Sequence, residues 1–351
     1  MAETEITNPY IIQFPALNWE FEINPTAITV FGLSIQWYGI IIAFGLMLAV
    51  LYCFPRMKKF GINSDSAVDA VIGGVIGGVV GARLYFVAMK WDEYKQDTLK
   101  DTFLAVINTR NGGLAIYGGI IGALIVGLTI CKIKKIKMFP MLDISLMGFL
   151  IGQGIGRWGN FVNQEAFGIN TDSIFGMTGG RIQQIILRET QIGGSMYENG
   201  INMMWEKPVH PCFLYESVWC LLGFAVLALY SKHRKYDGQL TLMYMAWYGA
   251  ERAVVEGLRI DSLMIGNVRV SQLVSVIILI VSVILQIVIG LNVKRDPEKY
   301  VLYVNTEESK LMLKKSVSVN TENDDKEIVV LSDEEDDEDN TKEDLKNGTD
   351  Y

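Results

Sequence analysis

Seven stretches of predominantly apolar residues dominate this chain, at about 36–54, 67–89, 113–131, 138–157, 211–230, 238–258 and 270–291. A helix of about 20 such residues matches the hydrocarbon core of a bilayer, which is roughly 30 Å thick. Within that core every backbone polar group must be satisfied internally, so each stretch is expected to be helical. The expected fold class is therefore all-α: a polytopic integral membrane helical bundle with about seven transmembrane helices. Composition agrees, since 50% of the residues are hydrophobic.

Charge orients the bundle. Arg56, Lys58 and Lys59 follow the first stretch, Lys132, Lys134, Lys135 and Lys137 the third, and Lys232, Arg234 and Lys235 the fifth. Lys294 and Arg295 follow the seventh. By the positive-inside rule these places are cytoplasmic, which puts the N-terminus outside and the C-terminus in the cytoplasm. Residues 1–30 contain no Lys or Arg and show no basic start or apolar run of a signal peptide, so the first span is expected to direct insertion. The connection 90–112 mixes four basic with four acidic residues and orients least clearly.

Residues 158–209 are too polar to span and too long for a turn, and read as a small extracytoplasmic head. The expected division is a transmembrane domain over 1–292 and an acidic tail over 293–351. From Asn292 onward nine basic residues face eighteen acidic ones, so the chain's net charge of −8 belongs to that tail. Its composition is that of a solvated, disordered segment. Cys53, Cys131, Cys212 and Cys220 sit singly in apolar surroundings and read as small buried hydrophobes.

Glycines recur at helical spacing: Gly73, Gly77 and Gly81; Gly118 and Gly122; Gly148, Gly152 and Gly156. Small residues four apart let helix backbones approach closely, so tight packing of the second, third and fourth spans is expected.

Ionisable residues inside spans are expensive and mark function by default. Here they gather, with the polar Asn160, toward one membrane face: Tyr38, Arg83, Tyr117, Arg157, Glu165, His210, Glu216, Arg252, Glu256 and Arg259. On the sixth stretch Tyr248, Arg252, Glu256 and Arg259 share one stripe at helical spacing, with Arg252 and Glu256 able to pair. Guanidinium groups bind phosphate bidentately and stay charged when partly desolvated, so an Arg cluster at headgroup depth suggests a lipid phosphate. Only His210 and His233 occur, so a multi-histidine metal site is excluded, and neither a metal nor another cofactor is expected. Nothing in the chain calls for a nucleic-acid partner.

The run Gly156-Arg157-Trp158-Gly159-Asn160-Phe161-Val162-Asn163-Gln164-Glu165-Ala166-Phe167-Gly168 closely resembles the signature of bacterial prolipoprotein diacylglyceryl transferases. Trp37-Tyr38-Gly39, Gly81-Ala82-Arg83-Leu84, Gly112-Gly113-Leu114-Ala115, His210-Pro211, Leu214-Tyr215-Glu216 and Tyr248-Gly249 extend the resemblance in order over about 30–292. It implies a multi-pass enzyme of the bacterial cell membrane that moves the diacylglyceryl group of phosphatidylglycerol to the lipobox cysteine of prolipoprotein precursors. Glycerol phosphate leaves, in the first step of lipoprotein maturation.

The implied catalytic residues are Arg157, Arg252, Tyr117 and Glu256. Tyr38, Arg157, Asn160, Glu165, Gly168, Tyr248 and Arg259 are implied to bind substrate. Tyr117 stands where well-known members carry a histidine, so a histidine base is not available at that position, and the proton acceptor stays open. A transporter or lipid flippase is the principal alternative, because polar groups within a bundle also mark substrate pathways. A non-catalytic docking protein for exported precursors is the other. No convincing internal repeat supports a transporter, and the polar cluster lies at one face rather than at the midplane.

Overall fold

The computed structural model describes residues 8–109, 112–260, 264–265 and 268–314. Among the described residues before 302, eleven α-helices follow in order: α1 Trp37–Cys53, α2 Ser64–Met89, α3 Trp91–Tyr94, α4 Leu99–Ile107, α5 Ile116–Ile133, α6 Met138–Asn163, α7 Gly180–Glu189, α8 Ser195–Glu198, α9 Cys212–Tyr230, α10 Gln239–Leu258 and α11 Val270–Arg295. Six of them, α1, α2, α5, α6, α9 and α11, are long and apolar enough to cross a membrane. The stretch expected at 238–258 is also a helix, α10, but Glu251, Arg252 and Glu256 make it more polar than the other six. The chain is a multi-pass helical membrane protein.

Short strands accompany the helices, a feature the hydropathy pattern does not announce. β1 Ile11–Phe14 pairs antiparallel with β2 Trp19–Glu22 and with β5 Thr178–Gly179, giving the order β2-β1-β5. β3 Thr26–Val30 and β4 Leu33–Gln36 form a hairpin leading into α1, and β6 Met264–Ile265 pairs with β7 Val268–Arg269 before α11.

The chain divides into two compact units, one of residues 1–56 and 139–301, the other of residues 57–138 and 302–351. The first unit holds the head. Ile12 and Phe14 from β1 pack with Phe161 from α6, Phe167, Met177, Ile182 and Ile186 from α7, Val209 and Phe213. Burying these side chains contributes about 1.5–3 kcal/mol each and gives the segment 158–209 a core of its own. Gln164 joins its parts: its amide nitrogen donates to the Pro9 carbonyl at 2.7 Å, and its amide oxygen accepts from the Arg181 N–H at 3.0 Å. The latter bond satisfies an orphan donor at the N-terminus of α7. Elsewhere in this unit, Asp143 of α6 is fully buried and accepts from the Gly238 and Thr241 N–H groups, each at 2.8 Å, capping α10 from a distance.

In the second unit α2 and α5 form a glycine-seamed hairpin. A Cβ on Gly81 would lie 2.4 Å from the Gly118 carbonyl oxygen, and one on Gly122 would lie 2.1 Å from that of Gly77. The glycine spacing thus reports a backbone-to-backbone seam between the second and third spans. The glycines of α6 serve a different neighbour, since a Cβ on Gly148 would meet Cys53 and Ala49 of α1.

Residues 302–314 also belong to the second unit. They are helical over 307–314 and seat Tyr303 and Ser309 in buried positions. The Ser309 hydroxyl donates to the Gly61 carbonyl at 3.1 Å, and Glu308 pairs with Lys137 at 3.1 Å. Gly61 sits at φ +77°, and a Cβ there would lie 2.9 Å from Val304 Cα, so this docking requires glycine. The acidic run Asp333 to Asp339, expected to be disordered, lies outside the described residues.

Candidate active site

Glu216, in the second turn of α9, is the hub of the site. Its carboxylate is almost wholly buried and lies 2.8 Å from Arg157 Nη1, 3.2 Å from Arg252 Nη1 and 3.9 Å from Arg259 Nη1. Arg252 also reaches Glu256, one turn along α10, through Nη2 at 2.5 Å. Three guanidiniums thus converge on two carboxylates. A buried carboxylate is tolerable only when it is paired, and arginine ion pairs supply the partner for both Glu216 and Glu256.

The orientation of the cluster is as informative as its charge. The side chains of Arg157 and Arg252 are 20% and 19% exposed, whereas those of Glu216 and Glu256 are 1% exposed. The acids face inward and hold the bases, while the bases keep part of their surface exposed. Each fork retains donors beyond those spent on carboxylates, which is the geometry that bidentate phosphate recognition uses.

The end of α6 shapes one wall. Beyond Phe161 the chain turns through Gln164 and Ala166, both at positive φ, 52° and 56°. The turn brings Glu165 back toward the helix, where it accepts from Asn160 Nδ2 at 3.0 Å and Asn163 Nδ2 at 3.3 Å. Gly159 lets the Tyr38 ring lie flat on α6, since a Cβ there would be 2.4 Å from Tyr38 Cδ2. Trp158 donates its indole N–H to the Ser217 hydroxyl at 3.2 Å, fixing α6 against α9 one residue from Glu216.

Gly168 acts through the backbone. It bridges to Arg259, its N–H donates to the His210 carbonyl at 2.9 Å, and a Cβ there would meet His210 Cβ at 2.9 Å. The same close approach ties the head to the end of α10 that carries Arg259. His210 lies at 3.1 Å from the Tyr215 hydroxyl through Nδ1, and burial pushes its pKa below the ordinary 6.5. Tyr248 stacks on Tyr244 at 6.1 Å with the rings 9° from parallel, which fixes it on the Arg252 face of α10.

The expected residues therefore separate. Arg157, Arg252, Glu256 and Arg259 meet around Glu216; Tyr38, Asn160, Glu165 and Gly168 are held by the same unit. Tyr117 stands in the first turn of α5, in the second unit, with its side chain largely exposed. Arg83 is also in that unit, buried, and its donors are taken by backbone carbonyls and a tyrosine hydroxyl, so it is not available to a ligand.

Sequence reasoning placed Glu216 among the polar groups without giving it a role, and missed Glu251. Glu251 is buried on α10 beside Arg252, with its carboxylate 3.8 Å from the Cys220 thiol. An acidic residue inside an apolar stretch was the available signal for both.

Residues 25–288 match the family description "Prolipoprotein diacylglyceryl transferase". The phosphatidylglycerol–prolipoprotein diacylglyceryl transferase of Staphylococcus haemolyticus (strain JCSC1435) is 39% identical over 279 residues, covering 79% of this chain and 92% of that protein. The protein of the same name from Staphylococcus saprophyticus is 38% identical over 279 residues, with 93% of its length covered, and that of Staphylococcus aureus (strain Newman) 37%, with 92% covered.

Proposed function

The chain belongs to the prolipoprotein diacylglyceryl transferase family, and on that premise we propose that the Arg157–Glu216–Arg252 cluster is where its transfer chemistry takes place. The enzyme transfers the diacylglyceryl group of phosphatidylglycerol to prolipoproteins, the first step of lipoprotein maturation. The acceptor is the lipobox cysteine of the precursor. Its sulfur forms a bond to the glyceryl carbon that carries the phosphate, and the carbon–oxygen bond to that phosphate breaks. The departing glycerol phosphate keeps the electron pair and gains one negative charge, while the thiol loses its proton.

The two events make separate demands. A thiol of pKa about 8.5 must be deprotonated, and the growing phosphate charge must be met by donors already in place. Arg157 and Arg252 meet the phosphate, and the observation that carries this assignment is their outward exposure over inward-facing carboxylates. Glu216 and Glu256 hold the guanidinium planes, Arg259 adds positive potential, and Asn160, Glu165 and Gly168 shape the wall on which the headgroup sits. Tyr38 and Tyr248 hydrogen-bond the headgroup or relay the thiol proton, which the departing phosphate finally accepts; for Tyr117, in the second unit, the family resemblance is what supports a catalytic role for its hydroxyl.

The basic connections after α1, α5, α9 and α11 support an orientation with the N-terminus outside the cell membrane, with α10 as a seventh span whose carboxylates, Glu251 and Glu256, are buried. This orientation places the cluster on the side where exported precursors arrive.

The test is transfer to a lipobox peptide by purified protein in micelles containing phosphatidylglycerol, followed by peptide mass and glycerol phosphate release. Wild type adds one diacylglyceryl group. Arg157→Ala and Arg252→Ala each lower kcat by about 100- to 1,000-fold, the scale of losing a preorganised oxyanion donor. Unimpaired turnover by either variant would move the phosphate away from this cluster.

A further inference from the structure

Arg83 is a buried guanidinium, 6% exposed, on a helix long and apolar enough to cross a membrane. Its six hydrogen-bond partners are all neutral oxygens. Nε donates to Val106 O at 2.7 Å, and Nη2 donates to Ala105 O at 3.0 Å and Asn108 O at 2.6 Å. Nη1 donates to Gly112 O at 3.1 Å, Gly113 O at 2.9 Å and the Tyr94 hydroxyl at 3.2 Å. The guanidinium also lies 4.8 Å from the Tyr94 ring centroid.

Two separate structures are fastened by this one group. Ala105, Val106 and Asn108 lie at the C-terminus of α4, whose last carbonyls lack helical partners and carry the negative end of the helix dipole. Gly112 and Gly113 form the turn that enters α5, both in the left-handed region at φ +82° and +81°. A Cβ on Gly113 would lie 2.4 Å from Arg83 Nη1, so the turn is shaped around the guanidinium.

Neighbouring residues of α2 continue the seam. The Ala115 N–H donates to Ala82 O at 3.0 Å, and Gly118 packs on Gly81. Tyr117 lies between these two anchors, in the first turn of α5.

We infer that Arg83 is a positioning residue for the transfer reaction: by clamping the end of α4 to the Gly112–Gly113 turn, it fixes the start of α5 and with it the place of the Tyr117 hydroxyl. The inference rests on the role given to Tyr117 above. Lysine cannot substitute, because a point ammonium with three donors cannot span five carbonyls that a planar fork reaches together.

The experiment uses the full chain in phosphatidylglycerol micelles, with Arg83→Lys and Gly113→Ala each made alone and with Tyr117→Phe. The second variant attacks the same contact from the turn, so the question survives a folding failure of the first. Transfer kinetics are read alongside hydrogen exchange of the amides at 113–116. Each single variant is expected to lose about 10- to 100-fold in kcat, the scale of a misplaced catalytic group, with KM for phosphatidylglycerol held within about twofold.

Exchange at the Ala115 amide quickens, and adding either variant to Tyr117→Phe produces no further loss. Losses that multiply in the double variants, or unchanged exchange at Ala115, would overturn the positioning role and leave the proposed function intact. Full activity of Tyr117→Phe would instead remove the hydroxyl's role, and the inference with it.

Discussion

At the scale of residues, the arginine cluster turns on one buried carboxylate. Glu216 holds three arginines, and removing it leaves guanidiniums in a partly buried setting without their counter-charge. Breaking a buried pair from one side costs about 3–5 kcal/mol. Glu216→Ala is therefore expected to lower the thermal midpoint in detergent as well as transfer activity. Glu256→Ala, which leaves Glu216 in place to hold Arg252, should retain more of its stability. Equal midpoints for Glu216→Ala and wild type would show that the cluster is not held by this hub.

His210 gives a pH prediction at the same scale. Burial lowers its folded-state pKa below 6.5, so the unfolded chain binds the proton more readily. The stability it contributes is complete above the unfolded value and is lost as pH falls from there through the lowered folded value. Thermal midpoints of wild type measured from about pH 8 down to about pH 5 should fall more steeply than those of His210→Gln; parallel curves would contradict this.

Sequence reading found the pairing of Arg252 with Glu256, because four residues along one helix is a fixed geometry. It did not find that Arg157 and Arg252 share Glu216, because that convergence joins α6, α9 and α10 and depends on packing that no local spacing encodes.

At the scale of elements, the hairpin of α2 and α5 depends on absent side chains. Gly81→Ala places a methyl 2.4 Å from the Gly118 carbonyl oxygen and 2.8 Å from Gly122 Cα, both backbone atoms that cannot rotate away. Gly74→Ala meets its nearest atom at 3.7 Å. The first change is expected to destabilise by about 1–3 kcal/mol and the second to be nearly neutral, measured by unfolding in micelles. Matching losses would mean that close approach is not what the seam provides.

The glycine spacing announced that the second, third and fourth spans would pack tightly together. α2 and α5 do, whereas α6 uses its glycine at 148 against α1. Helical spacing identifies a face and says nothing of its partner. The strands were less legible still: β1 and β2 are four residues each, and β1 becomes part of a three-stranded sheet only through β5, more than 160 residues later in the chain. α10 was found as a helix from the same apolar run that located the others, although its charged stripe sets it apart in hydropathy.

At the scale of the whole molecule, two compact units are interleaved along one chain, and the family match over 25–288 contains most of both. Residues 302–314 lie beyond that match and still carry a fully buried serine. A chain stopped after Lys314 should keep the exchange protection of the Gly61 and Ile62 amides, whereas one stopped after Val301 should lose it. Retained protection in the shorter chain would show that the segment rests on a surface already complete without it.

That docking sets an order in time. The Ser309–Gly61 hydrogen bond joins residues 248 positions apart. At about 5–20 residues per second, a ribosome that has made Gly61 needs roughly 12 to 50 s more before Ser309 exists. Until then the loop at 57–62 waits with its neighbour unmade, and the unit begun early in synthesis is finished only by nearly the last piece of described chain to emerge.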